Sequence, residues 1–322
     1  MNDTSTSSLL RRRAAALAGV AAIGLGLGLA GCGDSSSPAS SADTTATAAT
    51  TGTGASMGQD TAGDATAAVS DAYAQMRTTP YVSTETTTQK LDASSVDESM
   101  RSEIESKMAN SLADSTSEIT AESSERREVK TTTKGVTSYV VMYDGELFLS
   151  ADGTTWAQYT GSGAKALMNA AQLSSINPSS MFTNVQAAGT ADVNGQAGTA
   201  YTADISAAKV TSLVDSAFGM LGTEVAKALG DALNVQGGSA KVVVDDATGN
   251  IASQDIAYRF AYDLGALASA AGATDAAPSG SIDVTTTSRE VVTKTGSGIT
   301  VEKPTATKKV SDIMQLGLFL AG

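Results

Sequence analysis

The sequence predicts an α+β fold in which one domain, from residue 64 to residue 322, is built on a curved antiparallel β-sheet with several helices. The first observation is a set of turn dipeptides that separate runs rich in β-branched and aromatic residues: Asp144-Gly145, Asp152-Gly153 and Asn194-Gly195. Asp-Gly and Asn-Gly favour the tight turns that join neighbouring antiparallel strands. The second observation is the helical spacing of apolar residues in 64–76 and 207–229, which supplies helices to cover the sheet.

The N-terminal segment, residues 1–31, has the layout of a secretory signal peptide. The triplet Arg11-Arg12-Arg13 precedes an uncharged apolar run from Ala14 to Ala30. The run ends in Leu29-Ala30-Gly31-Cys32, which resembles the lipobox of bacterial lipoproteins, where the cysteine thiol receives a diacylglyceryl group and the preceding peptide bond is cut. The resemblance implies that Cys32 is the lipidated first residue of an envelope lipoprotein, anchored on the extracytoplasmic face of the cell membrane. Sec and twin-arginine export both stay open as routes.

Residues 32–63 predict a disordered tether between the lipidated Cys32 and the domain. This segment consists mainly of Gly, Ser, Thr, Ala and Asp, and Met57 is its one large apolar residue. Such a composition buries too little apolar surface to offset the entropy lost on ordering.

The composition excludes several classes of function. The chain has no histidine and a single cysteine, which rules out imidazole-based nucleophilic catalysis, histidine-ligated zinc and disulfides within the chain. Its net charge of -13 repels nucleic acid, so we expect no nucleic-acid partner. We also expect no enzyme activity, no metal and no cofactor.

Three short motifs match those of penicillin-binding proteins, namely the S-x-x-K tetrapeptides at 162–165 and 206–209 and the triplet Lys294-Thr295-Gly296. No S-D-N triplet lies between them. Among this many serines and lysines, about one or two S-x-x-K matches arise by chance. The motifs therefore do not change the expectation that the chain is not an enzyme.

The folded domain is expected to begin near Asp64. Apolar residues at helical spacing predict a helix that Thr79-Pro80 ends, and the Thr- and Val-rich residues 81–91 predict the first strand. Residues 92–110 predict an amphipathic helix or lid, because apolar residues recur every four positions from Val96 onward.

The middle of the chain predicts further strands. Residues 119–133 predict one strand with a solvated face. Residues 139–159 give the clearest signal, a three-stranded meander with tight hairpins at both Asp-Gly dipeptides. A short helix at 164–173 and the long helix at 207–229 flank the Asn194-Gly195 hairpin.

The C-terminal part predicts strands at 241–245, 251–264, 282–294 and 299–301. In the second of these strands Tyr258, Phe260 and Tyr262 alternate with smaller or charged residues, so their rings share one face. An apolar tail follows at 313–321 and is too short to cross a membrane.

This order of helices, strands and turns resembles the LppX/LprG group of actinobacterial lipoproteins, which are similar in architecture to the LolA carriers. The resemblance covers residues 67–304 and depends on element order, on Asp144-Gly145 followed by Trp156, and on Asn194-Gly195 leading to Tyr201. It implies a half-barrel whose concave face is covered by helices over a hydrophobic cavity that can hold acyl chains.

On this basis we expect a membrane-anchored lipoprotein that binds or carries a lipid, a glycolipid or another elongated apolar ligand between sheet and helices. The residues expected to line the cavity are Val140, Met142, Leu147, Leu149, Leu213, Ala217, Leu221, Tyr258, Phe260 and Tyr262. The alternative hypothesis is a non-enzymatic surface interaction or regulatory lipoprotein with a filled core, no small ligand and an envelope protein as partner. Small side chains on the concave face would favour the first hypothesis, and large ones the second.

Overall fold

The computed structural model describes residues 62–98, 100–102, 105, 113–161, 178–211, 232–266, 280–312, 315, 316 and 320, and all structural statements below refer to these. Cys32, the signal peptide, the tether and the predicted helix at 164–173 lie outside the described residues. So do Leu213, Ala217 and Leu221 of the predicted long helix, of which residues 207–211 are described and helical.

One twelve-stranded sheet forms the body of the domain. The helix α1 spans Ala62–Met76, and a short 3-10 helix spans Pro178–Met181. The strands are β1 Tyr81–Asp92, β2 Ser115–Ala121, β3 Arg126–Thr133, β4 Val136–Tyr143, β5 Glu146–Ser150, β6 Ala157–Tyr159, β7 Phe182–Val193, β8 Gln196–Ile205, β9 Leu233–Asp245, β10 Ile251–Asp263, β11 Ser281–Thr295 and β12 Lys308–Val310.

The sheet consists of two meanders, β1 to β6 and β7 to β11, which are joined where β1 pairs with β11. We call this pairing the seam. Its strand order is β12-β6-β5-β4-β3-β2-β1-β11-β10-β9-β8-β7. Neighbouring strands pair in antiparallel fashion, except that β12 pairs with β6 in parallel at one edge. The sheet is curved and open, which confirms the predicted fold class.

Backbone conformation explains why the predicted hairpins form where they do. Asp144 and Gly145 have φ of 48° and 81°, and Asn194 and Gly195 have φ of 55° and 82°. Positive φ at both central residues defines the type I′ turn, whose twist matches that of the flanking strands. These two dipeptides therefore connect β4 to β5 and β7 to β8, as predicted.

Four details of the prediction are wrong. Residues 119–133 form parts of two strands, β2 and β3, because the segment 122–125 turns the chain although it contains no Gly, Pro or Asn. Asp152-Gly153 is part of a longer loop, in which the Asp152 carboxylate accepts hydrogen bonds from the backbone N–H groups of Thr154 and Thr155 at 2.8 and 2.7 Å.

The other two errors lie near the C-terminus. Residues 299–301 are not a strand; Val301 is buried against Val141 and Phe148 on the outer side of β4 and β5. The three-residue strand β12 was not predicted, since its length gives no periodic signal. Within the described residues, no helix is both long enough and apolar enough to cross a bilayer.

The helix α1 forms because its small and apolar residues recur at helical spacing, as predicted. Ala65, Val69, Ala72 and Tyr73 are all buried, and the helix packs against β7, β9 and β10. The chain leaves the helix at Thr78 and Thr79, whose backbone N–H groups bond to the Gln75 carbonyl, just before Pro80. This helix therefore covers the C-terminal meander of the sheet.

Gly145→Ala is expected to destabilise the protein by about 1 kcal/mol, because an L residue with a Cβ is strained at φ of 81°. A Cβ at this position meets nothing within 4 Å, so the cost is conformational. Gly145→Asn is the matched control, since Asn tolerates positive φ, and it should cost less in urea unfolding. Equal stability of Gly145→Ala and the wild type would contradict the type I′ assignment.

Candidate functional site

One face of the sheet carries the residues that sequence analysis placed around a ligand. Strand register puts Ile119, Val129, Val140 and Leu149 side by side across β2, β3, β4 and β5. The same register continues through β1 and β11 to Tyr258 and Phe260 of β10, on which α1 packs. We call this surface the α1 face, and its opposite the outer face.

At one end of the α1 face lies an apolar cluster built on β4, β5 and β6. It contains four of the predicted residues, which form the cross-strand pairs Val140 with Leu149 and Met142 with Leu147. Tyr159, Val310 and Leu316 pack against them, so the apolar tail contributes to this end of the sheet. We call this group the β4–β6 cluster.

At the other end lies a larger apolar cluster beneath α1. Tyr258, Phe260 and Tyr262 belong to it, with ring centroids 6.1 Å apart for the first pair and 5.3 Å for the second. The alternation predicted for these rings is therefore confirmed. We call this group the α1 cluster. The structure brings the described candidate residues to one face but into two separate clusters rather than one lining.

Between the two clusters the α1 face is buried and mixed: a smaller apolar cluster of Tyr81, Ile119, Ala121, Val129 and Val292 lies beside a set of polar side chains. The side chains of this central polar band come from β1, β2, β3, β10 and β11. They are Ser83, Glu85, Thr87, Ser115, Ser117, Arg127, Gln254, Thr286 and Glu290, each at most 9% exposed. Sequence analysis did not identify this band.

A chain of hydrogen bonds ties α1 to the band. The Tyr73 hydroxyl donates to Gln254 Oε1 at 2.5 Å, and Gln254 Nε2 donates to Glu290 Oε2 at 2.5 Å. Ser83 Oγ donates to Glu290 Oε1 at 2.5 Å. Burial, with a further contribution from Glu290, raises the pKa of Tyr73 well above its ordinary value, so the phenol stays protonated and acts as a donor.

The band contains two carboxylates that face each other across the seam. Glu85 of β1 lies directly opposite Glu290 of β11 in the strand register. Burial, followed by repulsion from Glu290, raises the pKa of Glu85 to about 7. Ser288 Oγ donates a hydrogen bond to Glu85 Oε1. Glu85 is therefore mostly protonated below about pH 7 and mostly ionised above it.

Arg127 is the cation of the band. It is 1% exposed, and none of its three side-chain nitrogens has a hydrogen-bond partner in the part of the chain that the structure describes. Burial raises the pKa of the neighbouring Tyr81 to about 12, while the Arg127 guanidinium opposes that rise. This buried and unpartnered charge is the most unusual feature of the face.

The sequence contains one indication that Arg127 is buried. With a period of two, Arg127 shares a face with Val129, whereas Arg126, Glu128 and Lys130 share the other. The signal is ambiguous until the register of the neighbouring strands is known, since two adjacent arginines leave it open which one turns inward.

The outer face carries a groove of about 480 Å³ over β7 to β11. It is open, and its lining mixes Asp204, Lys241 and Asp255 with small polar and apolar side chains. This groove lies on the side of the sheet away from every described residue that was predicted to line a cavity.

Within the described residues, no group of three or more His, Cys, Asp or Glu side chains is placed to hold a metal ion. The acidic pair Asp245-Asp246 lies in a turn, where the Asp245 carboxylate accepts hydrogen bonds from the N–H groups of Ala247 and Thr248 at 2.8 and 2.7 Å. The arrangement of the α1 face thus supports binding, by apolar contact at two ends and by charge at the centre.

Comparison with known proteins gives likenesses to solved structures. No protein-family model matches the chain, and no curated protein sequence matches it. The lipoprotein LppX of Mycobacterium tuberculosis is similar over 74% of this chain and 98% of its own, with 15% identity and a TM-score of 0.38. LprF of Mycobacterium bovis is similar over 77% and 100%, with 10% identity and a TM-score of 0.39.

A third similar structure is the MucA/MucB complex of Pseudomonas aeruginosa, over 74% of this chain and 59% of that one, with 14% identity and a TM-score of 0.32. LppX belongs to the group whose order of helices, strands and turns the sequence resembles. At TM-scores this low, nothing about function follows from these likenesses.

Glu85→Gln is expected to change how stability depends on pH. Because the pKa of Glu85 is about 7 in the folded protein and 4.5 in its ordinary state, the folded state holds a proton that the unfolded chain releases between these values. The stabilisation is complete below the lower value and is lost as pH rises through the higher one. The melting temperature of the wild type should therefore fall from about pH 5 to about pH 8, and that of Glu85→Gln should fall less.

The matched control is Glu118→Gln on the outer side of β2, where the side chain is 64% exposed. It should follow the wild-type pH dependence. Parallel melting curves for the wild type and Glu85→Gln across this pH range would contradict the raised pKa.

Proposed function

We propose that this chain is an envelope lipoprotein, anchored through Cys32, that holds an amphiphile or another elongated apolar ligand on the α1 face. One observation carries the proposal: the face has buried apolar clusters at both ends, the β4–β6 cluster and the α1 cluster, and buried polar side chains, the central polar band, beside a smaller apolar cluster between them. An amphiphile has the same division into apolar and polar parts. Apolar pockets with a few placed polar groups are the usual form of small-molecule sites.

The dimensions of the face suit an elongated ligand. Adjacent strands are spaced by about 4.8 Å, so the path across the sheet from β12 to β7 is on the order of 50 Å. The described helix α1 contacts β7, β9 and β10, far from β4 and β5. The apolar residues of β4 and β5 are nevertheless buried on both faces, Val140 and Leu149 on one and Val141 and Phe148 on the other.

The proposal that Cys32 anchors the protein depends on the sequence. The lipobox at Leu29 to Cys32 and the tether at 32–63 would place the domain at the outer surface of the cell membrane. Two acyl chains hold a protein durably at a bilayer, whereas one holds it only marginally. A lipid-binding domain on such a tether would reach ligands in or near that bilayer.

A second candidate function is supported by the groove on the outer face. Its Asp204, Lys241 and Asp255 side chains are placed to contact a polar protein surface, and the described candidate residues pack on one another within apolar clusters. Under this hypothesis the chain is an interaction or regulatory lipoprotein with a filled core and an envelope protein as partner.

Ser117→Phe is expected to weaken binding of a fluorescent fatty acid by at least about tenfold, or about 1.4 kcal/mol. Ser117 is 4% exposed at the centre of the α1 face, and its hydroxyl lies 2.9 Å from that of Thr131. A ring there would occupy the path between the two apolar ends. Fluorescence titration of the delipidated protein measures the effect.

Thr116→Phe is the matched control, because Thr116 is the adjacent residue, is exposed and faces the outer side. It should bind the fatty acid as the wild type does. Equal losses in the two variants would indicate non-specific damage, and absence of binding to the wild type would favour the interaction hypothesis.

Cys32→Ala is expected to release the protein from the membrane or leave it with its signal peptide, because the thiol that receives the acyl group is missing. Membrane fractionation, with immunoblotting for size, measures this. A variant that is found in the membrane fraction at the mature size of the wild type would contradict anchoring at Cys32.

A further inference from the structure

The strand register places Arg127 where the central polar band meets the β4–β6 cluster. Its neighbours on the α1 face are Ala121 of β2 and Met142 of β4. Tyr81 lies one strand beyond Ala121, and Leu147 lies one strand beyond Met142. The guanidinium thus has Ala121 and the Tyr81 ring on one side and the apolar β4–β6 cluster on the other.

The environment of Arg127 leaves its hydrogen-bond donors unsatisfied, although Glu85 and Tyr81 lie close enough to interact with its charge. A guanidinium carries its charge at physiological pH and presents five N–H donors in a planar fork. Here Nε, Nη1 and Nη2 are all buried without a hydrogen-bond partner among the described residues. Burying a charge in this way costs several kcal/mol.

The adjacent Arg126 shows the contrast. On the outer face, where the cost of an unpaired charge is low, Arg126 is paired with Asp144 at 2.9 Å and with Glu122 at 3.0 Å. On the α1 face, the nearby carboxylate of Glu85 accepts its hydrogen bond from Ser288 instead of from Arg127. Other polar side chains of the band therefore hydrogen-bond to one another or to Ser288, whereas the N–H groups of the Arg127 guanidinium have no hydrogen-bond partner among the described residues.

We propose that Arg127 binds the anionic group, a carboxylate or phosphate, of an amphiphile whose apolar part lies along the β4–β6 cluster. A planar guanidinium matches two oxygens of either group, and the bond is strong where water is excluded. The inference rests on the proposed function and adds to it a ligand class: an acidic lipid rather than a neutral one.

The experiment compares two amphiphiles of equal chain length, palmitate and hexadecanol, as competitors of a fluorescent fatty-acid ester bound to the delipidated full chain. The wild type is expected to bind palmitate at least about tenfold more tightly than hexadecanol, which corresponds to about 1.4 kcal/mol. Arg127→Gln should abolish this preference by weakening palmitate alone. Arg289→Gln is the matched control, since Arg289 is 66% exposed on the outer side of β11, and it should keep the preference.

Thermal unfolding of Arg127→Met without ligand gives a second, independent readout. Replacing an unpartnered buried charge by an apolar side chain of similar length removes a cost, so the melting temperature should rise. A lower melting temperature would assign Arg127 a structural role and overturn the inference.

The remaining outcomes separate this inference from the proposed function. If the wild type binds both amphiphiles with equal affinity and Arg127→Gln changes neither affinity, lipid binding stands and the role of Arg127 is overturned. If the wild type binds neither amphiphile, the proposed function fails. If inorganic phosphate alone displaces palmitate at a similar concentration, the site takes a free anion, and the acidic lipid is overturned as its ligand.

Discussion

The pairing of β1 with β11 joins two meanders that are otherwise separate parts of the sheet. It runs from Tyr81 opposite Thr295 to Asp92 opposite Asp283, with one register shift between Val82 and Ser83. Contacts this distant in sequence form late and carry a large loop-closure cost. The seam also sets the side chains at the centre of the α1 face, because its register brings Glu85 opposite Glu290. A slip of one residue would turn every one of these side chains to the outer face.

Because of the central polar band, burying the α1 face costs more free energy than burying an apolar sheet face would. Two carboxyl groups directly opposite each other destabilise a strand pair once both are ionised, and a buried guanidinium whose nitrogens have no hydrogen-bond partner among the described residues adds a further cost. The Tyr73 to Gln254 to Glu290 hydrogen bonds recover part of this cost and couple α1 to the seam. Costs of this kind concentrate at sites that act on a ligand, where a protein departs from its most stable sequence. Under the proposed function, the band is the part of the fold where ligand binding rather than stability accounts for the residues present.

Local turn chemistry made much of the fold predictable. Asp144-Gly145 and Asn194-Gly195 favour positive φ, and the alternation of Tyr258, Phe260 and Tyr262 places their rings on one face. The turn at 122–125 has no such residues, and for that reason the sequence predicts a single strand where β2 and β3 form. The β1 to β11 pairing and the inward position of Arg127 depend on long-range register, which a single sequence does not contain. The apolar candidates were easier to identify than the polar ones, since hydrophobic periodicity marks burial and polar residues normally mark exposure.

The most direct test of the account is native mass spectrometry of the purified Cys32→Ala chain, which has no anchor lipid of its own. If the α1 face holds a ligand, the spectrum should contain a species heavier than the polypeptide by the mass of one amphiphile. That adduct should disappear on delipidation and return when an acidic lipid is added. A spectrum that shows the bare chain before delipidation and again after lipid addition would contradict the claim that the α1 face holds a ligand.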